Sequence, residues 1–109
     1  MEAKEIIGSF TLRDEGDGCF TSKYHHTDEC FTEACKKIIT EKNNPDVFVG
    51  DFRTCWLEEK PNGQPEFKLT IIKNVNTYLL TWNDGSNDLF KGTAMIFEGN
   101  LVGAYWNCN

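Results

Sequence analysis

Residues 90–107 read FKGTAMIFEGNLVGAYWN and have the composition of two β-strands joined by a tight turn. The central EGN segment suits a turn, and apolar or β-branched residues dominate on both sides of it. Gly92 and Gly103 fall inside the two strands. A strand residue without a side chain indicates a bend, a bulge or the close approach of another group. The stretch therefore predicts a hairpin within a curved sheet.

Short strands separated by turns extend from this hairpin back to the start of the chain. The clearest contains Phe67, Leu69 and Ile71, which alternate with polar residues and so place one set of side chains on each face. Turn-forming sequences, such as DEGDG at 14–18 and NDGS at 83–86, separate the segments. The sequence predicts seven strands, at residues 6–13, 19–24, 47–57, 66–71, 78–82, 89–97 and 101–106.

One segment between these strands changes its period. Apolar side chains recur there at intervals of three and four residues, at Phe31, Ala34, Cys35 and Ile38. Thr27 or Asp28 can cap the first amide groups of a helix. Acidic residues come before lysines in this segment, and that order of charges interacts favourably with the dipole of a helix. The sequence NNP at 43–45 ends the pattern. The segment predicts one α-helix near residues 28–41.

Together these elements predict a mainly β, α+β fold, a small antiparallel meander barrel or half-barrel of about seven to eight strands with one helix. An open meander would leave unpaired backbone groups along its edge strands, and closing the sheet removes those edges. The chain has 109 residues, the usual length of one domain, so residues 1–109 are interpreted as a single domain. A hydrophobic content of 39% is sufficient for a folded core.

Charge and hydropathy exclude several classes of function. A formal net charge of -6 disfavours direct binding to nucleic acid, because attraction to phosphates requires positive charge. The longest apolar run, residues 94–97, is far shorter than the ~20 residues of a membrane-spanning helix. The first ten residues lack the basic flank and apolar stretch of a secretory signal. We therefore predict a cytoplasmic protein that does not associate with membranes.

The five cysteines are an odd number, so they cannot all pair within one chain, and free thiols in a reducing compartment are favoured. His25, His26, Cys30 and Cys35 are of the types that bind zinc, but a helix would separate Cys30 from Cys35 around its axis. A cysteine–histidine nucleophile would need Cys30 or Cys55 beside a histidine, and no catalytic motif surrounds them. We expect no enzyme activity and no cofactor, with His25, His26 and Cys30 as weak metal candidates.

The acidic residues suggest a second type of function. Many lie in the N-terminal third, at Glu2, Glu5, Asp14, Glu15, Asp17, Asp28, Glu29 and Glu33. If these carboxylates converge on one face, the protein is similar to the small phage-type inhibitors that bind the basic groove of a nucleic-acid-processing or defence protein. If they scatter, the charge serves solubility. A thiol- or metal-dependent protein is the third hypothesis.

Gly8, Ser9 and Phe10 on the first strand, together with the closing run FKGTAMIFEGNLVGAYWN, resemble strands of the small calycin-type barrels, the lipocalin and avidin-like group. Residues 66–106 carry most of the resemblance. Such barrels hold small apolar or amphipathic molecules inside. The resemblance therefore implies a binding module and leaves the ligand open.

Aromatic side chains are the candidates for lining such an interior, because they supply apolar walls and, in Trp and Tyr, a polar tip. A simpler interpretation is a solid core, since a barrel of this size has room for its side chains or for one small ligand. If Phe90 faces inward, so do Gly92 and Ala94, and their small size leaves room. We predict a non-enzymatic module that binds a small apolar ligand or a protein partner, with ligand-binding candidates Trp56, Tyr78, Trp82, Phe90 and Trp106.

Overall fold

A computed structural model describes residues 5–38, 45–56 and 66–108, with the side chains of Cys55 and Trp56 outside that description. Within these ranges the backbone forms eight strands: β1 (Ile7–Gly16), β2 (Cys19–His26), β3 (Glu29–Lys37), β4 (Gly50–Trp56), β5 (Glu66–Asn74), β6 (Thr77–Asn83), β7 (Asp88–Phe97) and β8 (Asn100–Asn107). Each strand pairs antiparallel with the next, and β8 pairs with β1 to close the barrel. The predicted mainly β barrel is confirmed.

The helix predicted near residues 28–41 is wrong where the structure describes it. Residues 29–37 form β3, which pairs with β2 from Cys19 opposite Lys36 to His26 opposite Glu29. Side chains of β3 point inward at every second position, and one of these positions holds a glutamate, Glu33. That polar residue interrupts the apolar alternation of a strand, so the remaining apolar residues fall at helical intervals. Residues 39–41 lie outside the described residues.

The barrel interior follows the two-residue period of its strands. On β5, for example, Leu69 and Ile71 are buried while Lys68 and Ile72 face solvent. The buried apolar positions that fill the barrel include Phe10, Leu12, Phe20, Phe52, Leu69, Ile71, Leu80, Trp82, Leu101 and Tyr105. Among the described residues there is no helix of the length and apolar character needed to cross a membrane.

The two ends of the barrel are packed differently. One end carries the turns at 17–18, 75–76 and 98–99, and we call it the closed end. Phe48, from the segment just before β4, enters this end and packs against Phe20 at 5.8 Å and against Tyr78 at 6.5 Å between ring centroids. The opposite end carries the turns at 27–28 and 84–87, and we call it the open end.

Hydrogen bonds hold the Phe48 segment against the closed end. Tyr78 donates its hydroxyl to Asp46 Oδ2 at 2.6 Å, and the Phe48 amide donates to Asp46 Oδ1 at 3.0 Å. Burial acts to raise the pKa of Asp46, but these two hydrogen bonds and the nearby Lys73 ammonium lower it overall. The hydrogen bond to Asp46, together with burial, raises the pKa of Tyr78 to about 12. The pair therefore keeps its hydrogen bond over the whole neutral range.

Replacing Tyr78 by phenylalanine is expected to reduce the free energy of unfolding by about 1 kcal/mol at pH 7, because Asp46 loses a hydrogen-bond donor. The pKa of Tyr78 lies above its ordinary value of 10.0, so its contribution is complete below pH 10 and is lost as the pH rises towards about 12. Urea unfolding of both proteins from pH 7 to 12 measures this. The difference between them should narrow above pH 10, and a constant difference would contradict the assignment.

Candidate functional site

A cavity of about 230 Å³ lies inside the open end of the barrel. The described side chains that line it come from β1, β2, β3, β5, β6, β7 and β8, and most of them are aromatic. The described lining residues are Phe10, Ser22, Tyr24, His26, Phe31, Glu33, Phe67, Trp82, Phe90 and Tyr105. The barrel is thus solid at its closed end and hollow at its open end.

Tyr105 stands at the centre of the aromatic wall. Its ring centroid lies 5.9 Å from that of Tyr24, 6.0 Å from that of Trp82 and 5.8 Å from that of Phe90. Phe31 extends the wall by stacking on Tyr24 at 5.3 Å. Edge-to-face and stacked contacts of this kind fix the orientation of each ring. The wall is therefore a pre-formed apolar surface.

Glycines next to the wall make space for its largest rings. Tyr105 pairs with Gly8 on one side and with Gly92 on the other. A methyl group at Gly8 would lie 2.6 Å from Cε1 of Tyr105, and one at Gly92 would lie 3.2 Å from Cζ3 of Trp82. The Tyr105 and Trp82 rings lie against these bare backbone positions. Close approach thus explains Gly92, one of the two strand glycines singled out in the sequence.

Two polar side chains lie side by side at the buried part of the cavity. Ser22 and Glu33 are cross-strand partners on β2 and β3, and they are 4% and 5% exposed. The Cys35 thiol donates to Glu33 Oε1 at 3.8 Å. Because Glu33 carries the acidic group of the cavity, this part of the site can accept hydrogen bonds from a bound molecule and attract positive charge.

His26 and the hydroxyl group of Tyr105 form a second polar pair in the cavity wall. Nδ1 of His26 is 2.9 Å from the hydroxyl oxygen of Tyr105, and the His26 ring stacks on Phe31 at 5.4 Å. Burial raises the pKa of Tyr105 to about 12, with a further contribution from the negative charge of Glu33. The Tyr105 hydroxyl therefore keeps its proton at neutral pH. Its contact with His26 ties β8 to β2.

The five predicted ligand-binding residues are not all brought together. Trp82 and Phe90 line the cavity. Tyr78 is buried at the closed end, where it bonds to Asp46. Trp106 lies on the outer face of β8 and is 41% exposed. The side chain of Trp56 falls outside the described residues.

Comparison with known protein families, with curated proteins and with solved structures finds no match to this chain. The closed eight-stranded antiparallel barrel is compatible with a calycin-like barrel. The function of the protein therefore has to be inferred from the cavity itself.

The candidate metal and thiol residues are divided between the two faces of the sheet. His26 and Cys35 face the interior, whereas His25 and Cys30 are exposed and pair with each other across β2 and β3. No group of three His, Cys, Asp or Glu side chains in the described part of the chain is placed to hold a metal ion. The Cys55 side chain lies outside that part.

The N-terminal carboxylates do not converge on one face where the structure describes them. Asp14 and Asp17 lie at the closed end, Asp28 lies at the open end, and Glu33 faces the interior. Glu15 forms a bidentate hydrogen bond with the Arg13 guanidinium, at 3.0 Å for both contacts. This distribution does not form a single acidic surface.

The sequence analysis missed Ser22, Phe31, Glu33, Phe67 and Tyr105 as cavity residues, and it considered His26 as a metal ligand or as the partner of a cysteine nucleophile. Phe31 and Glu33 lie within the predicted helix, so neither was expected on a strand. On β8 both faces carry apolar side chains, so alternation alone does not decide between Tyr105 and Trp106. The position of Gly103 would have helped, because an inward glycine places Tyr105 inward as well.

Proposed function

We propose that this protein is a non-enzymatic binding barrel of calycin type that holds one small amphipathic molecule in its open end. The observation that carries the proposal is the cavity of about 230 Å³, walled by aromatic rings and bordered by the buried Ser22 and Glu33. Apolar pockets with a few convergent polar groups are typical of small-molecule sites.

The size of the cavity limits what it can hold. An apolar cavity of roughly 150 Å³ is large enough for benzene. A volume of about 230 Å³ suits a molecule somewhat larger than one aromatic ring, such as a fused bicycle with a short arm. A long acyl chain does not fit, because Phe20, Phe48 and Phe52 fill the closed end of the barrel.

Two experiments test the proposal. Organic extraction of the purified protein followed by mass spectrometry is expected to recover a small molecule in about equimolar amount. Titration with tryptophol, a neutral indole with a two-carbon arm, is expected to perturb the NMR signals of cavity residues in a saturable manner. The absence of any extracted molecule, together with no saturable binding of small aromatic probes, would overturn the proposal.

Replacing Phe90 by alanine is expected to weaken the binding of tryptophol by about tenfold, because the wall loses a ring that would cover the ligand. Trp106→Ala is the matched control, since it removes an aromatic ring from the outer face of the neighbouring strand. Its affinity for tryptophol should equal that of the wild type. Equal losses in the two variants would place the binding site elsewhere.

A further inference from the structure

Glu33 is an unusual residue for the interior of a small barrel. It is 5% exposed, it lines the cavity, and its neighbours in the lining are mostly aromatic. A carboxylate accepts hydrogen bonds and, when ionised, attracts positive charge. The Oε1 atom of Glu33 accepts a hydrogen bond from the Cys35 thiol at 3.8 Å. Glu33 therefore places an acidic group in a lining that is otherwise mostly aromatic.

The aromatic wall and Glu33 favour the same kind of ligand. The faces of aromatic rings carry negative electrostatic potential, and they attract organic cations within about 6 Å of the ring centre. Tyr24, Trp82 and Tyr105 present such rings around the cavity that Glu33 borders. Among the described lining residues there is no lysine or arginine to make the cavity positive. The formal net charge of -6 adds a long-range attraction for cations.

Glu33 also affects Tyr105, another residue of the cavity lining. The pKa of Tyr105 is raised to about 12 by burial and, in addition, by the charge of Glu33. The carboxylate therefore opposes the appearance of a second negative charge in the cavity. An anionic ligand would meet the same opposition, whereas a cationic ligand would be stabilised.

We propose that the molecule held in the open end is an organic amine, bound as its ammonium ion. The ammonium group donates hydrogen bonds to the Glu33 carboxylate and to the Ser22 hydroxyl, which lies directly across from it on β2. The apolar body of the amine lies against Tyr105, Trp82 and Phe90. This inference rests on the proposed binding function and adds to it the charge of the ligand.

Three indoles with matched rings and two-carbon arms test the sign of that charge. Tryptamine carries an ammonium group, tryptophol a hydroxyl, and indole-3-acetate a carboxylate. Calorimetric or NMR titration of the wild-type protein at pH 7 is expected to give tryptamine at least about tenfold tighter binding than tryptophol, as for other charge-assisted contacts. Indole-3-acetate is expected to bind more weakly than tryptophol.

Glu33→Gln is expected to reduce tryptamine binding to the level of tryptophol while changing tryptophol affinity by less than about threefold, because the amide keeps the shape and loses the charge. Glu29→Gln is the matched control, since it removes the same charge from an exposed position on the same strand. It should keep the preference for tryptamine. Thermal unfolding of each variant establishes that it is folded before titration.

The outcomes separate the two proposals. If none of the three indoles binds the wild-type protein, the amine inference is wrong, and if extraction also recovers no molecule, the proposed binding function fails with it. If tryptophol or indole-3-acetate binds as tightly as tryptamine, the barrel is a binding module but the amine inference is wrong. A loss of preference in Glu29→Gln equal to that in Glu33→Gln would assign the effect to net charge and overturn the role of Glu33. The comparison of the three indoles on the wild type requires no variant to fold.

Discussion

Gly103→Val is expected to destabilise the protein by about 3 kcal/mol or more, the upper range for overpacking, and to lower its soluble yield sharply. Gly103 lies between Phe10 on β1 and Ala94 on β7 in the closed sheet. A Cβ atom at this position would lie 2.8 Å from both Cα and Cβ of Ala94 and would also collide with the carbonyl oxygen of Thr93. Two of these three atoms belong to the backbone, so the neighbouring strand itself would have to move.

Chemical denaturation of Gly103→Val, compared with Ala104→Val, measures this effect. Ala104 is the next residue of β8, and its side chain points to the opposite face of the sheet. The control adds methyl groups outside the barrel and is expected to change stability by less than about 1 kcal/mol. A Gly103→Val protein with near wild-type stability would mean that β7 and β8 do not approach each other as described. Close approach is therefore the reason for glycine at both strand positions singled out in the sequence.

Phe52→Ala is expected to reduce the free energy of unfolding by about 3 to 5 kcal/mol, the range for removing a buried aromatic ring. Phe52 is 0% exposed, and its ring meets that of Phe20 edge to face at 5.1 Å. The closed end is filled on all sides of this ring, so the change leaves a void. Because a folded domain is stable by only ~5 to 15 kcal/mol, a large part of the stability is at risk.

Phe97→Ala provides the comparison for Phe52→Ala, because Phe97 is an equally large residue that is 58% exposed. Its replacement is expected to cost less than about 1 kcal/mol. Urea unfolding at pH 7 measures both variants. Similar losses in the two would contradict the distinction between a solid closed end and its surface. Phe90→Ala should also cost less than Phe52→Ala, since Phe90 already borders the cavity and is partly buried.

The sheet was largely predictable because its strands repeat a simple pattern. On β5 and β6, Leu69, Ile71, Leu80 and Trp82 occupy every second position and are all buried. The turns between these strands carry asparagine, aspartate and glycine, which suit a change of direction. Local signals of this kind survive in the folded protein, since each strand pairs with the next one along the chain.

The strand β3 was not predicted because one of its inward positions holds a glutamate, Glu33. The same residue gives the cavity an acidic group. Ser22 and Glu33 are polar residues at inward positions, where a core position would be apolar. Glu33 breaks the alternation of β3 and leaves Phe31, Ala34 and Cys35 in an apparent helical pattern. A polar residue at an inward position departs from the pattern that makes a strand recognisable. The sequence shows Glu33 as an exception to the alternation of β3. Its position in the cavity follows only from the pairing of β3 with the neighbouring strands.

The division of the interior into a filled and a hollow half was not predictable from strand periodicity. Phe48 belongs to no strand, and it enters the closed end because Asp46 accepts hydrogen bonds from Tyr78 and from the Phe48 amide. These features depend on contacts between distant parts of the chain, so local sequence patterns do not encode them.

The seam between β1 and β8 also governs how the protein reaches its folded state. Every other pairing joins consecutive strands, whereas this one brings Ile7 opposite Trp106 and so spans most of the chain. Closing so long a loop carries the largest loss of chain entropy, and it is expected to be the slow step of folding. Until the seam forms, the first and last strands expose unpaired backbone groups through which two molecules can join. The same closure that shapes the cavity therefore also protects the first and last strands from pairing with a second molecule.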